Sequence, residues 1–100
     1  MDTTITIQAG KTIVALSGRL DTTNATDFEK QIASLYELDA PQIVFDCTNL
    51  SYISSSGLRI LLALLKSVEK RKGTLELHHL RLEIKEVFDM IGFSSFFRIQ

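Results

Sequence analysis

Three adjacent hydroxyls, Ser54, Ser55 and Ser56, precede Gly57 and a leucine-rich stretch that begins at Leu58. If that stretch is a helix, the serines stand where its opening amides lack partners and point outward. The helix dipole adds partial positive charge at the same place. A serine there can cap the helix, worth about 1 kcal/mol over alanine. It can also accept a phosphoryl group, which adds roughly −1.5 to −2 charge at neutral pH and which free amides can hold. Residue types alone leave both roles open.

Other candidates carry less chemistry. Asp46 follows the apolar run Ile43-Val44-Phe45. Carboxylates at strand ends often act as ligands or catalysts, but no second carboxylate lies close in sequence, so Asp46 is expected to accept hydrogen bonds that organise a loop. His78 and His79 are adjacent, and neighbours on a strand face opposite ways. No further cysteine or histidine is placed to complete a metal site with them. Cys47 is the only cysteine, which rules out an internal disulfide. Beside so apolar a run it reads as a small buried hydrophobe in a reducing compartment. No Gly-rich phosphate loop, catalytic triad or carboxylate pair is recognisable, and no nucleophile has a general base at a recognisable spacing. The expectation is therefore no catalysis, no cofactor and no metal.

Composition narrows the partners. With 11 basic and 12 acidic residues in 100, the net charge is −1, which supplies no global basic field for nucleic acid. Lys70-Arg71-Lys72 is a local basic cluster, read as a solvated helix end. The longest apolar stretch, Leu58 to Leu65, contains Arg59 and is too short to span a bilayer. Met1 to Gln8 alternates polar and apolar residues and does not resemble a secretion signal. A soluble cytoplasmic chain, 1–100 as one domain, with neither direct nucleic-acid binding nor membrane insertion, is expected.

The elements that must position the serines follow from periodicity. Thr4-Ile5-Thr6-Ile7 alternates as a half-buried strand should. Ala9-Gly10 gives a tight turn into a second strand, Thr12 to Ser17, closed by Gly18, and the two form a hairpin. Asp21-Thr22-Thr23-Asn24 is rich in helix-capping types. Ala25, Phe28, Ile32 and Leu35 then recur at helical spacing until Pro41, and Ala40 before it is expected to be extended. Ile43-Val44-Phe45 suits a central strand, and Asp46 to Ser54 reads as the loop after it. Leu58, Leu61, Leu62, Leu65 and Val68 mark the buried face of the next helix, with Arg59, Lys66 and Lys70 off it and Gly73 as its stop. Leu75 and Leu77 alternate on a strand. Ile84, Val87, Phe88 and Ile91 define a third helix ended by Gly92. Phe93, Phe96 and Phe97 form a lid on the core, and Phe97-Arg98-Ile99 can be a last strand. The order β-β-α-β-α-β-α implies an α/β fold. Its mixed sheet has four to five strands, antiparallel in the hairpin and parallel after it, with the helices mainly on one face.

Three segments in order carry a family resemblance. The stretch from Ile43 to Leu58, with an apolar strand, Asp46, a short loop, Tyr52 and Ser54-Ser55-Ser56-Gly57-Leu58, resembles the signature of STAS-domain anti-sigma factor antagonists. Ser17-Gly18-Arg19-Leu20-Asp21 resembles the family's Gly-x-Leu-Asp segment. Glu86-Val87-Phe88-Asp89-Met90-Ile91-Gly92-Phe93 resembles its third helix and glycine stop. The family's acidic residue before the phosphoacceptor falls on Ser54, a departure, and the sequence ends at Gln100 without a counterpart of the family's common C-terminal helix.

The resemblance implies a STAS-like fold and a protein-binding switch. The phosphoacceptor would be Ser55, and Asp21, Thr22, Ser54, Ser56, Gly57 and Arg59 would form the partner surface. The unphosphorylated chain would sequester an anti-sigma factor, itself a serine kinase, and a phosphatase would reverse its action. A different reading within the same fold is a STAS accessory subunit of a bacterial lipid-trafficking ABC transporter, which docks on an ATPase without obligatory phosphorylation.

Overall fold

A computed structural model describes residues 1–100. Five strands form one sheet in sequence order: β1 (Asp2–Gln8), β2 (Lys11–Leu20), β3 (Gln42–Ile53), β4 (Thr74–His78) and β5 (Arg98–Ile99). β1 and β2 are antiparallel across the Ala9-Gly10 turn, and every later pair is parallel. Three helices fill the crossovers: α1 (Ala25–Gln31), α2 (Ser55–Lys70) and α3 (Leu82–Met90). Parallel neighbours taken in sequence order and joined by crossovers of one hand must carry their helices on one face. The core agrees, because Phe28 and Ile32 of the first crossover, Leu61 and Leu64 of α2, and Ile84 and Phe88 of α3 share a single cluster with Val14, Phe45 and Leu77.

β3 is longer than expected. Its pairing with β4 ends at Asp46–His78, but its pairing with β2 continues to Leu20–Ile53. The segment Asp46 to Ser54 is therefore strand almost to its end, and β2 likewise runs past Gly18. Two register shifts explain why the alternation is hard to see. Between the pairs Ala15–Asp46 and Ser17–Asn49, β3 advances one residue more than β2, and again between Gly18–Leu50 and Arg19–Tyr52. Each bulge adds a residue, so the buried positions after Phe45 fall at Cys47, Leu50 and Ile53, the later ones three apart. Gly18, with φ of 101°, takes a backbone conformation at the second bulge that glycine tolerates best.

Other elements depart from the sequence pattern. β1 is an edge strand that no helix covers, so Ile7 is 75% exposed and the strand is not half-buried. Ala25, Phe28, Ile32 and Leu35 are all buried, but the α-helix ends at Gln31 and a 3-10 turn, Ala33–Glu37, continues it. Ala40 is not extended: its φ is 39°. The Pro41 carbonyl accepts the Thr74 amide at 2.7 Å, which ties the entrance of β3 to β4 and leaves Ala40 to make the bend.

In α2, Leu64 is fully buried while Leu62 is only partly so, reversing the expected face at that turn. Lys72, with φ of 60°, makes the left-handed turn after α2, not Gly73. Gly73 is small for a different reason, since a Cβ there would overlap the Pro41 carbonyl and ring. Arg71 is not a solvated charge: its guanidinium donates to the carbonyls of Leu35 (3.0 Å) and Ser67 (3.3 Å), clamping the 3-10 turn to α2. In the third helix only Ile84 and Phe88 go inside, and Val87 and Ile91 are exposed. Of the three phenylalanines near the C-terminus, Phe97 is buried edge-on against Phe88, Phe93 packs on the core, and Phe96 is exposed.

Candidate functional site

The serine cluster lies where β3 meets α2, at the carboxyl end of a central strand, the edge where open parallel sheets place their ligands. Burial gives its three hydroxyls different environments. Ser54 is 8% exposed and is the N-cap of α2. Its Oγ accepts the Gly57 amide at 3.3 Å, and its own amide donates to the Leu20 carbonyl at 2.8 Å. Ser55, the first helical residue, is exposed, and Ser56 is half-buried. Arg59 is exposed four residues after Ser55, on the same helical face.

Gly57 is buried against Leu20. An added Cβ would lie 2.7 Å from Leu20 Cγ and 3.1 Å from Ile53 Cγ1. Leu20 is fully buried and cannot swing aside, so the missing side chain sets how closely α2 approaches the sheet. Ser54 and Gly57, expected among the partner contacts, are buried at the start of α2 and support it from beneath. Ser55, Ser56, Arg59, Asp21 and Thr22 remain accessible.

The Leu20–Ser54 hydrogen bond brings the Asp21 loop beside the start of α2. Asp21 does not cap α1. Its Oδ1 accepts the Thr23 hydroxyl (2.6 Å) and amide (3.0 Å) and the Asn24 amide (3.3 Å). Asn24 occupies the N-cap position but turns back, accepting the Asp21 amide at 3.0 Å and donating to the Arg19 carbonyl at 2.8 Å. These bonds make a rigid loop with Thr22 exposed at its tip. The Thr23 hydroxyl, the two backbone amides and nearby Arg19 outweigh partial desolvation and hold the Asp21 carboxyl below its ordinary range. The loop therefore presents a negative charge at neutral pH.

Two further residues, not among the expected site residues, lie at the same end of β2 and β3. Arg19 and Tyr52 are register partners on β2 and β3, and the guanidinium carbon sits 4.2 Å from the Tyr52 ring centroid. The pair faces away from the buried Leu20–Ile53 pair that follows it. Only the second bulge brings Arg19 opposite Tyr52, and sequence alternation does not reveal that bulge.

The remaining candidates lie apart from the cluster. Asp46 sits at the first bulge, where its Oδ1 accepts the Thr48 hydroxyl at 2.6 Å and amide at 3.1 Å. Those bonds hold its carboxyl below the ordinary range, which fits an organising acceptor. Burial pushes the Cys47 thiol up to about 12, helped by Asp46, so it remains a protonated core residue. His78 meets Glu76 at 2.9 Å on the sheet face opposite the helices. The largest cavity, about 450 Å³, is lined by Leu62, Leu65 and Phe96 on another flank of α2 and includes no residue of the serine cluster.

Comparisons with known proteins agree with this architecture. The model of the STAS domain family matches residues 2–100. The chain is 34% identical over 90 residues to the Bordetella bronchiseptica protein BtrV, which bears the name of an anti-sigma factor antagonist, covering 90% of this chain and 78% of that one. An anti-sigma factor antagonist from Mycobacterium paratuberculosis superposes with a TM-score of 0.86 at 23% identity, over 98% of this chain and 83% of that chain. The anti-sigma factor antagonist SpoIIAA, solved in unphosphorylated form and, from Bacillus, in phosphorylated form, matches with TM-scores of 0.76 and 0.74 at 19% identity. Those matches cover 99% of this chain and 87% and 91% of the SpoIIAA chains. No helix of this chain is long and apolar enough to cross a membrane.

Proposed function

Because the chain belongs to the STAS domain family, we propose that it is an anti-sigma factor antagonist whose binding is switched off by phosphorylation of Ser55. The carrying observation is the division of labour at the start of α2. Ser54 is buried and already caps the helix, so Ser55 is exposed and its hydroxyl is not needed for the cap. BtrV and SpoIIAA bear the same functional name, and SpoIIAA has been solved with and without phosphate.

The unphosphorylated chain binds a cytoplasmic anti-sigma factor and so withdraws it from its sigma factor. A serine kinase, in this reading the anti-sigma factor itself, transfers the γ-phosphoryl of ATP to Ser55 Oγ, which gives up its proton. A phosphatase restores the hydroxyl by hydrolysis. The chain is a substrate and binder and not a catalyst. Its fold tolerates the phosphate because the opening amides of α2 and the dipole favour an anion, and Arg59 stands one turn along the same face. At the partner surface the same group adds bulk and charge beside the ionised Asp21 and must be desolvated on docking.

Mass-spectrometric phosphosite mapping after incubation with the cognate kinase tests this assignment. Modification is expected at Ser55 and abolished by Ser55→Ala. Phosphate found at Ser54 instead would overturn the assigned site.

A further inference from the structure

The Arg19–Tyr52 pair has features that packing does not require. The Arg19 side chain is 61% exposed and Tyr52 is 41% exposed, so neither closes the core. The guanidinium lies over the ring, a geometry that restrains its orientation. No protein acceptor takes a hydrogen bond from it. Its nearest carboxylate oxygen, Asp21 Oδ2, is 4.0 Å away and is approached through Nε. Asp21 spends its other oxygen on Thr23 and Asn24. The fork of Arg19 is thus held by an aromatic platform while its terminal donors are available, the arrangement suited to bidentate capture of a carboxylate.

Position ties this pair to the switch. Tyr52 precedes Ser55 by three residues, so their Cα atoms are at most about 11 Å apart at 3.8 Å per residue. A specific protein interface covers roughly 800 Å² on each partner, which is a disc of about 16 Å radius. Arg19 also directly precedes Leu20, whose carbonyl accepts the Ser54 amide, so the pair lies at the same end of β2 and β3 as Ser55, within the span of an interface that wraps over that rim. Arginine and tyrosine are also the residue types that most often dominate binding energy at interfaces.

Resting on the reading that an anti-sigma factor docks over Ser55, we propose that Arg19, braced by Tyr52, is a specificity-determining contact that receives an acidic side chain of that partner. The docking surface is then bipolar, with Asp21 offering negative charge and Arg19 offering positive charge on one rim. Such a surface selects a partner with the opposite pattern and rejects one with two like charges.

Calorimetric titration tests this, using unphosphorylated chain and, as probe, the purified anti-sigma factor encoded nearest its gene. Arg19→Glu should weaken binding by about tenfold or more while thermal melting stays unchanged, because both side chains are exposed. Arg19→Lys should recover only part of the loss, since an ammonium lacks the planar fork. Lysine in place of the matching partner carboxylate should restore binding to Arg19→Glu. Tight binding by wild type together with unchanged affinity of Arg19→Glu would overturn the inference and leave the switch standing. Failure of the wild-type chain to bind would remove the switch reading and this inference with it.

Discussion

Three neighbouring serines stand in different environments because they differ in burial. The Ser54 hydroxyl is enclosed and bonded to the Gly57 amide, so its removal costs the cap. Ser54→Ala should lower stability by about 1 kcal/mol. Ser55→Ala should change it by less than about 0.5 kcal/mol, as exposed substitutions usually do. Urea denaturation of both variants checks this, and equal losses would show that Ser55 shares the cap. At this scale the sequence was informative about chemistry but not about rank. It marked a hydroxyl cluster at a helix start, and the register of the motif pointed to Ser55. It did not show that Ser54 and Gly57 lie beneath the surface. That depends on the approach of Leu20, a residue more than thirty positions earlier.

At the scale of elements, order and type were legible wherever one period held. The Leu-rich helix, the Leu75–Leu77 strand and the Gly92 stop all stand where the pattern puts them. The alternation is lost where the period changes inside an element. Two bulges shift the burial of β3 to Cys47, Leu50 and Ile53, which imitates a loop. They also hid the Arg19–Tyr52 pair, since no local pattern reports a cross-strand register. In α2 the run Leu61-Leu62-Ala63-Leu64-Leu65 is too uniformly apolar to show which leucine faces out. The structure places Leu61 and Leu64 inside and Leu62 at a groove wall. Leu61→Ala should cost about 2–5 kcal/mol through lost contacts and a cavity. Leu62→Ala should cost only about 1 kcal/mol, in keeping with partial burial. Chemical denaturation with the reverse ranking would mean that the helix is rotated about its axis from the position described.

At the scale of the whole molecule, the proposed switch stands apart from the core. Helices on one face give a single packed interior, and parallel strands bring the Asp21 loop, the Arg19–Tyr52 pair and the start of α2 to the same rim. Everything that would meet a partner is at that rim, and the phosphate would be added there without disturbing the interior. The effect of modification should therefore appear in binding and not in folding. Calorimetric affinity for the anti-sigma factor, measured with enzymatically phosphorylated and unmodified chain, tests this most directly. An interface penalty of about 3 kcal/mol would weaken binding by more than about a hundredfold on phosphorylation of Ser55, with the melting temperature nearly unchanged, and that is the predicted result. Equal affinity of the two forms would contradict the account.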